Sequence, residues 1–245
     1  MLQFLVCSDV HTYTDNIRLA IRKADHIDAV LIAGDLEAEK DLVLSAVGNI
    51  PCYMVCGNND YYLNTDYPQE LLIDITSNIH TGSEASPLGP VIGKVTELGY
   101  DTVPGKDEGV ESVRQNSFSA FFARLFGSRT ADLPKGLSFP QHTFKRPSDS
   151  IHRILMTHGK EYKVPDISLL AMRAGIWDAD LVIFGHTHQF WDTTFQRGKI
   201  RLINPGCLVG DPKASIRAYG NYEICSFSLL RIGDRGEIDV EHLYL

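Results

Sequence analysis

The strongest constraint on this chain is a repeated pairing of a short, largely apolar run with a loop of Gly, Asp, Asn or His. "LQFLVC" (2–7) runs into Ser8-Asp9-Val10-His11, "AVLIA" (29–33) into Gly34-Asp35, and "PCYMVC" (51–56) into Gly57-Asn58-Asn59-Asp60. Further on, "IHRILM" (151–156) runs into Thr157-His158-Gly159, and "DLVIF" (180–184) into Gly185-His186-Thr187-His188. Near-continuous apolarity over the length of a strand describes a strand covered on both faces. Helix-like stretches follow three of these units: "NIRLAIRKA" (16–24) behind a Thr14-Asp15 N-cap, "KDLVLSAV" (40–47) and "ISLLAMRAG" (167–175). Buried strands alternating with helices predict an α/β fold.

Two regions depart from this rhythm. Beyond residue 191, "DTTF" (192–195), "KIRLIN" (199–204), "NYEICSFSLL" (221–230) and "GEIDVEHLYL" (236–245) read as strands with no helices between them. They predict a second sheet packed beside the first. The stretch from about 81 to 150 is rich in Gly, Pro and Ser and holds one amphipathic candidate, "ESVRQNSFSAFFARLFG" (111–127). Between Arg124 and Arg146 it carries five Lys or Arg and a single acid, Asp132. It reads as an insertion in one domain spanning 1–245, a cap or a partner surface.

With 245 residues, 44% of them hydrophobic and 22% charged, the chain has material for a real core. A net charge of −8 argues against non-specific binding to nucleic acid or an anionic membrane, but not against a small phosphorylated substrate held by a cation. The five cysteines (Cys7, Cys52, Cys56, Cys207, Cys225) are odd in number and form no CxxC, which points to a reducing, cytoplasmic compartment. No apolar stretch approaches the roughly 20 residues of a membrane span, and the N-terminus lacks the basic region of a signal peptide.

Sites in open α/β sheets form where loops converge at the carboxyl ends of strands. Here that edge would collect Asp9, His11, Asp35, Asn58, His158, His186 and His188. Seven N and O donors are too many for a structural zinc, which takes four ligands. They suit two ions sharing a carboxylate, an arrangement that clamps phosphoryl groups.

The ordered set D9-x-H11, G34-D35, G57-N58-x-D60, T157-H158-G159 and G185-H186-T187-H188 resembles the calcineurin-like metallophosphoesterase superfamily. With "INPGC" (203–207), it is most similar to the small bacterial and archaeal phosphodiesterase branch. The resemblance covers residues 2–80 and 151–245. It implies a four-layer α-β-β-α sandwich of two mixed sheets flanked by helices. It further implies two divalent cations, manganese first among Fe, Zn, Ni, Co and Mg. Asp9, His11 and His188 would hold one, Asn58, His158 and His186 the other, and Asp35 would bridge them. A metal-bound hydroxide would then hydrolyse a small phosphodiester, or a monoester, with Asp60 orienting the adjoining loop. Asn59 departs from the pattern: many members carry His there as the acid for the leaving group, and Asn cannot transfer a proton. Asn59 is therefore expected to touch substrate only by hydrogen bonding, with Cys207 nearby in a substrate-facing loop. Either the chain prefers leaving groups that depart readily as anions, or it borrows an acid from elsewhere, for which His142 and His152 are the candidates. A non-catalytic metal-binding adaptor on the same fold is the alternative, disfavoured because all seven ligand positions are filled. A nuclease is a further alternative, disfavoured by the acidic charge despite the basic stretch 124–146. Self-association is left open.

Overall fold

The computed structural model describes residues 1–63, 66–77, 89–99, 102–104, 110–112, 146–210 and 224–245. In chain order these form β1 (Leu2–Cys7), α1 (Thr14–Lys23), β2 (Ala29–Ile32), α2 (Lys40–Val47), β3 (Cys52–Met54), β4 (Glu70–Ser77) and β5 (Pro90–Leu98). There follow β6 (Thr102–Pro104), β7 (Val110–Ser112), β8 (Ser150–Thr157), α3 (Ser168–Ile176), β9 (Leu181–Ile183), β10 (Phe190–Phe195), β11 (Ile200–Pro205), β12 (Ser226–Ile232) and β13 (Ile238–Tyr244).

Two mixed sheets carry the fold. One has the order β13-β12-β1-β2-β3, the other β10-β11-β9-β8-β4-β5. β1, β2 and β3 run parallel, as do β8, β9 and β11, while the outer strands pair antiparallel. Alternation along each strand then sorts the apolar side chains into layers. Phe4 and Val6 of β1 point inward, meeting Ile154 and Met156 of β8 and Ile183 of β9 in the core between the sheets. Leu5 and Cys7 point the other way and pack under Ile17 and Ala20 of α1 and Val43 and Val47 of α2. On the far side, Leu155, Val182 and Leu202 are covered by Leu170, Ala171 and Ala174 of α3. The result is the expected four-layer α-β-β-α sandwich.

Several expectations change in detail. The strands beyond residue 191 do not make a sheet of their own: β10 and β11 extend one sheet, β12 and β13 the other. Residues 90–98, expected in the insertion, form β5, an edge strand paired with β4. The amphipathic stretch 111–127 lies outside the described residues save Glu111 and Ser112, which belong to β7. Helix α1 starts at Thr14 without a side-chain cap, and Asp15 instead pairs with Arg18 at 2.8 Å within the first turn.

Strand β4 escapes an apolar-run criterion because Glu70 and Asp74 interrupt it, and both are buried. Each is matched by a buried arginine. Arg173 Nε donates to Glu70 at 3.0 Å, and Tyr162 donates to the same carboxylate. Arg153 Nε donates to Asp74 at 2.7 Å. Buried charges persist only when paired in this way.

Candidate metal centre

The parallel strands of both sheets end at one edge, and backbone bonds zip their exit loops together. Asp9 N donates to the Gly34 carbonyl (2.9 Å), His11 N to the Asp35 carbonyl (3.0 Å), and Gly185 N to the His158 carbonyl (3.0 Å). Close approach at this edge excludes larger residues at two points. A Cβ on Gly57 would collide with the amide and carboxylate of Asp35. A Cβ on Gly185 would sit 2.7 Å from Asp9 Oδ2. The loops are also tightly wound: Asp9, His11, Asp35, His186 and His188 all have positive φ, between 44° and 70°. Non-glycine residues rarely adopt that conformation, and it clusters at functional sites.

Six of the seven expected ligands converge through their side-chain donor atoms. His11 Nε2 and His188 Nε2 are 3.2 Å apart, and His188 Nε2 is 3.2 Å from Asp9 Oδ1. His158 Nε2 lies 3.3 Å from Asp35 Oδ2, 3.1 Å from Asn58 Oδ1 and 4.0 Å from Asp9 Oδ1. The donor atoms of Asp9, His11 and His188 form one compact group, and those of Asp9, Asp35 and His158 another. Asp9 thus belongs to both halves. The seventh, His186, packs edge-on against the His158 ring with centroids 5.2 Å apart, while its backbone N–H donates to Asp9 Oδ2 at 3.0 Å.

The cluster fits divalent cations. Asp9 is fully buried, yet its Oδ1 accepts no hydrogen bond. A buried carboxylate oxygen left bare is costly unless a cation meets it. His158 Nδ1 donates to the Ala33 carbonyl at 2.8 Å, which leaves Nε2 as the ligating nitrogen. His11 Nδ1 is likewise engaged, by Glu37 Oε1 at 2.8 Å. The charges are tuned by the same contacts. Burial opposes ionisation of Asp35, but His158, the Asn59 amide and His11 outweigh it and hold the carboxyl below the usual carboxylate range. Burial also pulls His158 down, but Asp35, Asp9 and the Ala33 carbonyl prevail and raise it above the ordinary histidine value. Burial, followed by the neighbouring His158, pushes His186 below that value, which favours the neutral ring a ligand needs.

Around this set, Asp60 is buried and accepts from Glu37 N (2.7 Å) and Gly57 N (2.8 Å), tying the β2 and β3 exit loops together. Asn59 is committed to Asp35: its N–H donates to Oδ1 (2.8 Å) and its Nδ2 to Oδ2 (2.9 Å). Cys207 is buried, as are Asp9 and His158. His152 lies at the opposite end of β8, six residues or roughly 20 Å from His158 at the strand rise. It is spent on Asp180 (2.8 Å) and the Gly236 carbonyl (2.7 Å) and cannot replace the missing acid. His142 lies outside the described residues.

Three contributors are not flagged by residue motifs. Ser8 Oγ stands 2.6 Å from Asp9 Oδ2. Asn204 Nδ2 reaches the Gly185 carbonyl (2.8 Å) and Thr187 Oγ1 (3.1 Å), bracing the histidine loop. Glu37 backs His11. The signal for Asn204 is in "IRLINP", where a lone amide closes an apolar strand at the same sheet edge.

The sequence model of the calcineurin-like phosphoesterases matches residues 2–190, a span that includes all seven of these ligand positions. The chain belongs to the calcineurin-like phosphoesterase family. Vps29 from Chaetomium thermophilum has a similar fold, with a TM-score of 0.50 at 13% identity over 99% of this chain and 97% of that one. A predicted phosphoesterase from Streptococcus pneumoniae gives 0.49 at 16% identity, covering 100% and 98%. An archaeal phosphodiesterase gives 0.46 at 16% identity, covering 99% and 100%. No curated protein matches the sequence. Among the described residues, no helix is long and apolar enough to cross a membrane.

Proposed function

We propose that this calcineurin-like phosphoesterase is a dinuclear metal-dependent hydrolase of small phosphodiesters whose leaving groups depart readily as anions. The observation that carries the reading is the bare, buried Asp9 Oδ1 at the meeting point of His188 and His158, with Asp35, His11 and Asn58 around it. Two divalent cations, manganese foremost, supply when bound an acidified water for attack on phosphorus and positive charge to offset the phosphoryl oxygens.

The chain's own residues do the rest. Asp9, His11 and His188 form one grip, Asn58 and His158 with His186 the other, and Asp35 faces both. His158 keeps its Nδ1 proton on the Ala33 carbonyl and yields the Nε2 proton when a cation binds. Asn59 steadies Asp35 through two hydrogen bonds and carries no transferable proton. The leaving oxygen therefore departs without a side-chain acid at that position, which selects weakly basic leaving groups.

The test is hydrolysis of bis-p-nitrophenyl phosphate with Mn(II), in the parent and in Asp35→Asn and His158→Ala. Metal-dependent turnover in the parent and its loss in both folded variants is expected. Full activity in either variant would sink the dinuclear reading. A parent that binds metal but turns over no phosphoester would move the chain to a non-catalytic metal-binding role.

A further inference from the structure

The exit of β2 does more than supply Asp35. Within Ala33-Gly34-Asp35-Leu36-Glu37, the Ala33 carbonyl holds His158 Nδ1 at 2.8 Å and Glu37 Oε1 holds His11 Nδ1 at 2.8 Å. One five-residue segment therefore orients a histidine in each half of the centre. We propose that Glu37 is a positioning residue for the centre, fixing the ring and tautomer of His11 so that Nε2 is presented to Asp9 and His188. The inference rests on reading this cluster as a metal site.

Three observations separate this contact from an ordinary surface ion pair. First, the far nitrogen of the same ring is aimed inward: His11 Nε2 lies 3.2 Å from His188 Nε2 and 4.0 Å from Asp35 Oδ2. Second, Glu37 is itself anchored. Its backbone N–H donates to the buried Asp60 carboxylate at 2.7 Å, and its φ of 50° is a conformation that a free loop would relax. Third, both side chains are mostly shielded, with 19% of His11 and 32% of Glu37 exposed. Because Glu37 meets Nδ1, on the other side of the ring from Nε2, it is not placed as a ligand. It acts through His11, as carboxylates behind metal-binding histidines do by fixing orientation and raising basicity. The halves differ in this support. His11 is backed by a carboxylate, His158 by a neutral carbonyl, so losing Glu37 weakens one binding event and spares the other.

The experiment is Mn(II) titration by calorimetry of the metal-free parent, Glu37→Ala, Glu37→Gln and the control Glu39→Ala. Histidine tautomers are read alongside by long-range 1H–15N NMR. Glu37→Ala is expected to weaken one of two binding steps about 10- to 100-fold and to mix the His11 tautomers. Glu37→Gln, which keeps an acceptor oxygen, restores the Nδ1–H tautomer and part of the affinity, while Glu39→Ala changes neither. Unchanged affinity and tautomer in Glu37→Ala would overturn the proposal. An equal loss in Glu39→Ala would do so as well, since the effect would then be general charge. A parent that binds no Mn(II) would instead overturn the metal reading beneath it.

Discussion

At the scale of single residues, Asn59 carries the sharpest functional question. Its backbone and side chain both serve Asp35, so the position that could hold a proton donor holds a brace instead. Asn59→His is expected to raise turnover of phosphomonoesters with basic leaving groups by about 10-fold or more, because a missing acid commonly costs 10²–10⁴. An unchanged monoester rate would mean the leaving group is already protonated from elsewhere. The candidate ligands were legible in the sequence, since Asp9, His11, Asp35, Asn58, His158, His186 and His188 stand at strand ends in a recurring pattern. Ser8 belongs to no motif though it stands beside Asp9, and Asn204 left only a lone amide at a strand end as its signal. Glu37 was not legible, because it acts on a ring nitrogen of another loop. No spacing along one segment encodes such a partnership.

At the scale of elements, buried charge decided what the apolar pattern revealed. β1, β2, β9 and β11 read as strands because both faces are covered, whereas β4 does not, because Glu70 and Asp74 face Arg173 and Arg153 inside the protein. A second charged group, at the foot of β8 and β9, makes part of the fold's stability pH-dependent. Burial pulls His152 down, but Asp180 and the Gly236 carbonyl outweigh it and raise the imidazole above its ordinary 6.5. Burial opposes ionisation of Asp180, yet His152, Arg146 and the Arg153 amide hold it below its ordinary 3.8. The raised histidine stabilises the fold fully below its unfolded value and loses that contribution as pH climbs through the folded one. The lowered aspartate does the reverse, contributing above its unfolded value and failing as pH falls. Thermal unfolding of the parent should therefore show a fall in Tm as pH rises above 6.5, and that fall should be smaller in His152→Gln. Identical slopes would remove His152 from the account.

At the scale of the whole molecule, the centre lies across the seam between the two sheets. Asp9, His11, Asp35 and Asn58 leave the β1-β2-β3 side, and His158, His186 and His188 leave the β8-β9 side. Cations held there bind the folded arrangement only, so Mn(II) at about 100 times its dissociation constant should add about 2.7 kcal/mol of stability and raise Tm. A Tm indifferent to both Mn(II) and chelator would contradict a centre built from both sheets. Asp9, His11, Asp35, His186 and His188 all hold positive φ. At each of these positions glycine would suit the backbone better than the residue present. Selection for thermal tolerance alone, with activity unwatched, would drift toward glycine there and dismantle the centre one ligand at a time. If the centre works as proposed, the trade-off between stability and activity sits at the candidate ligands themselves.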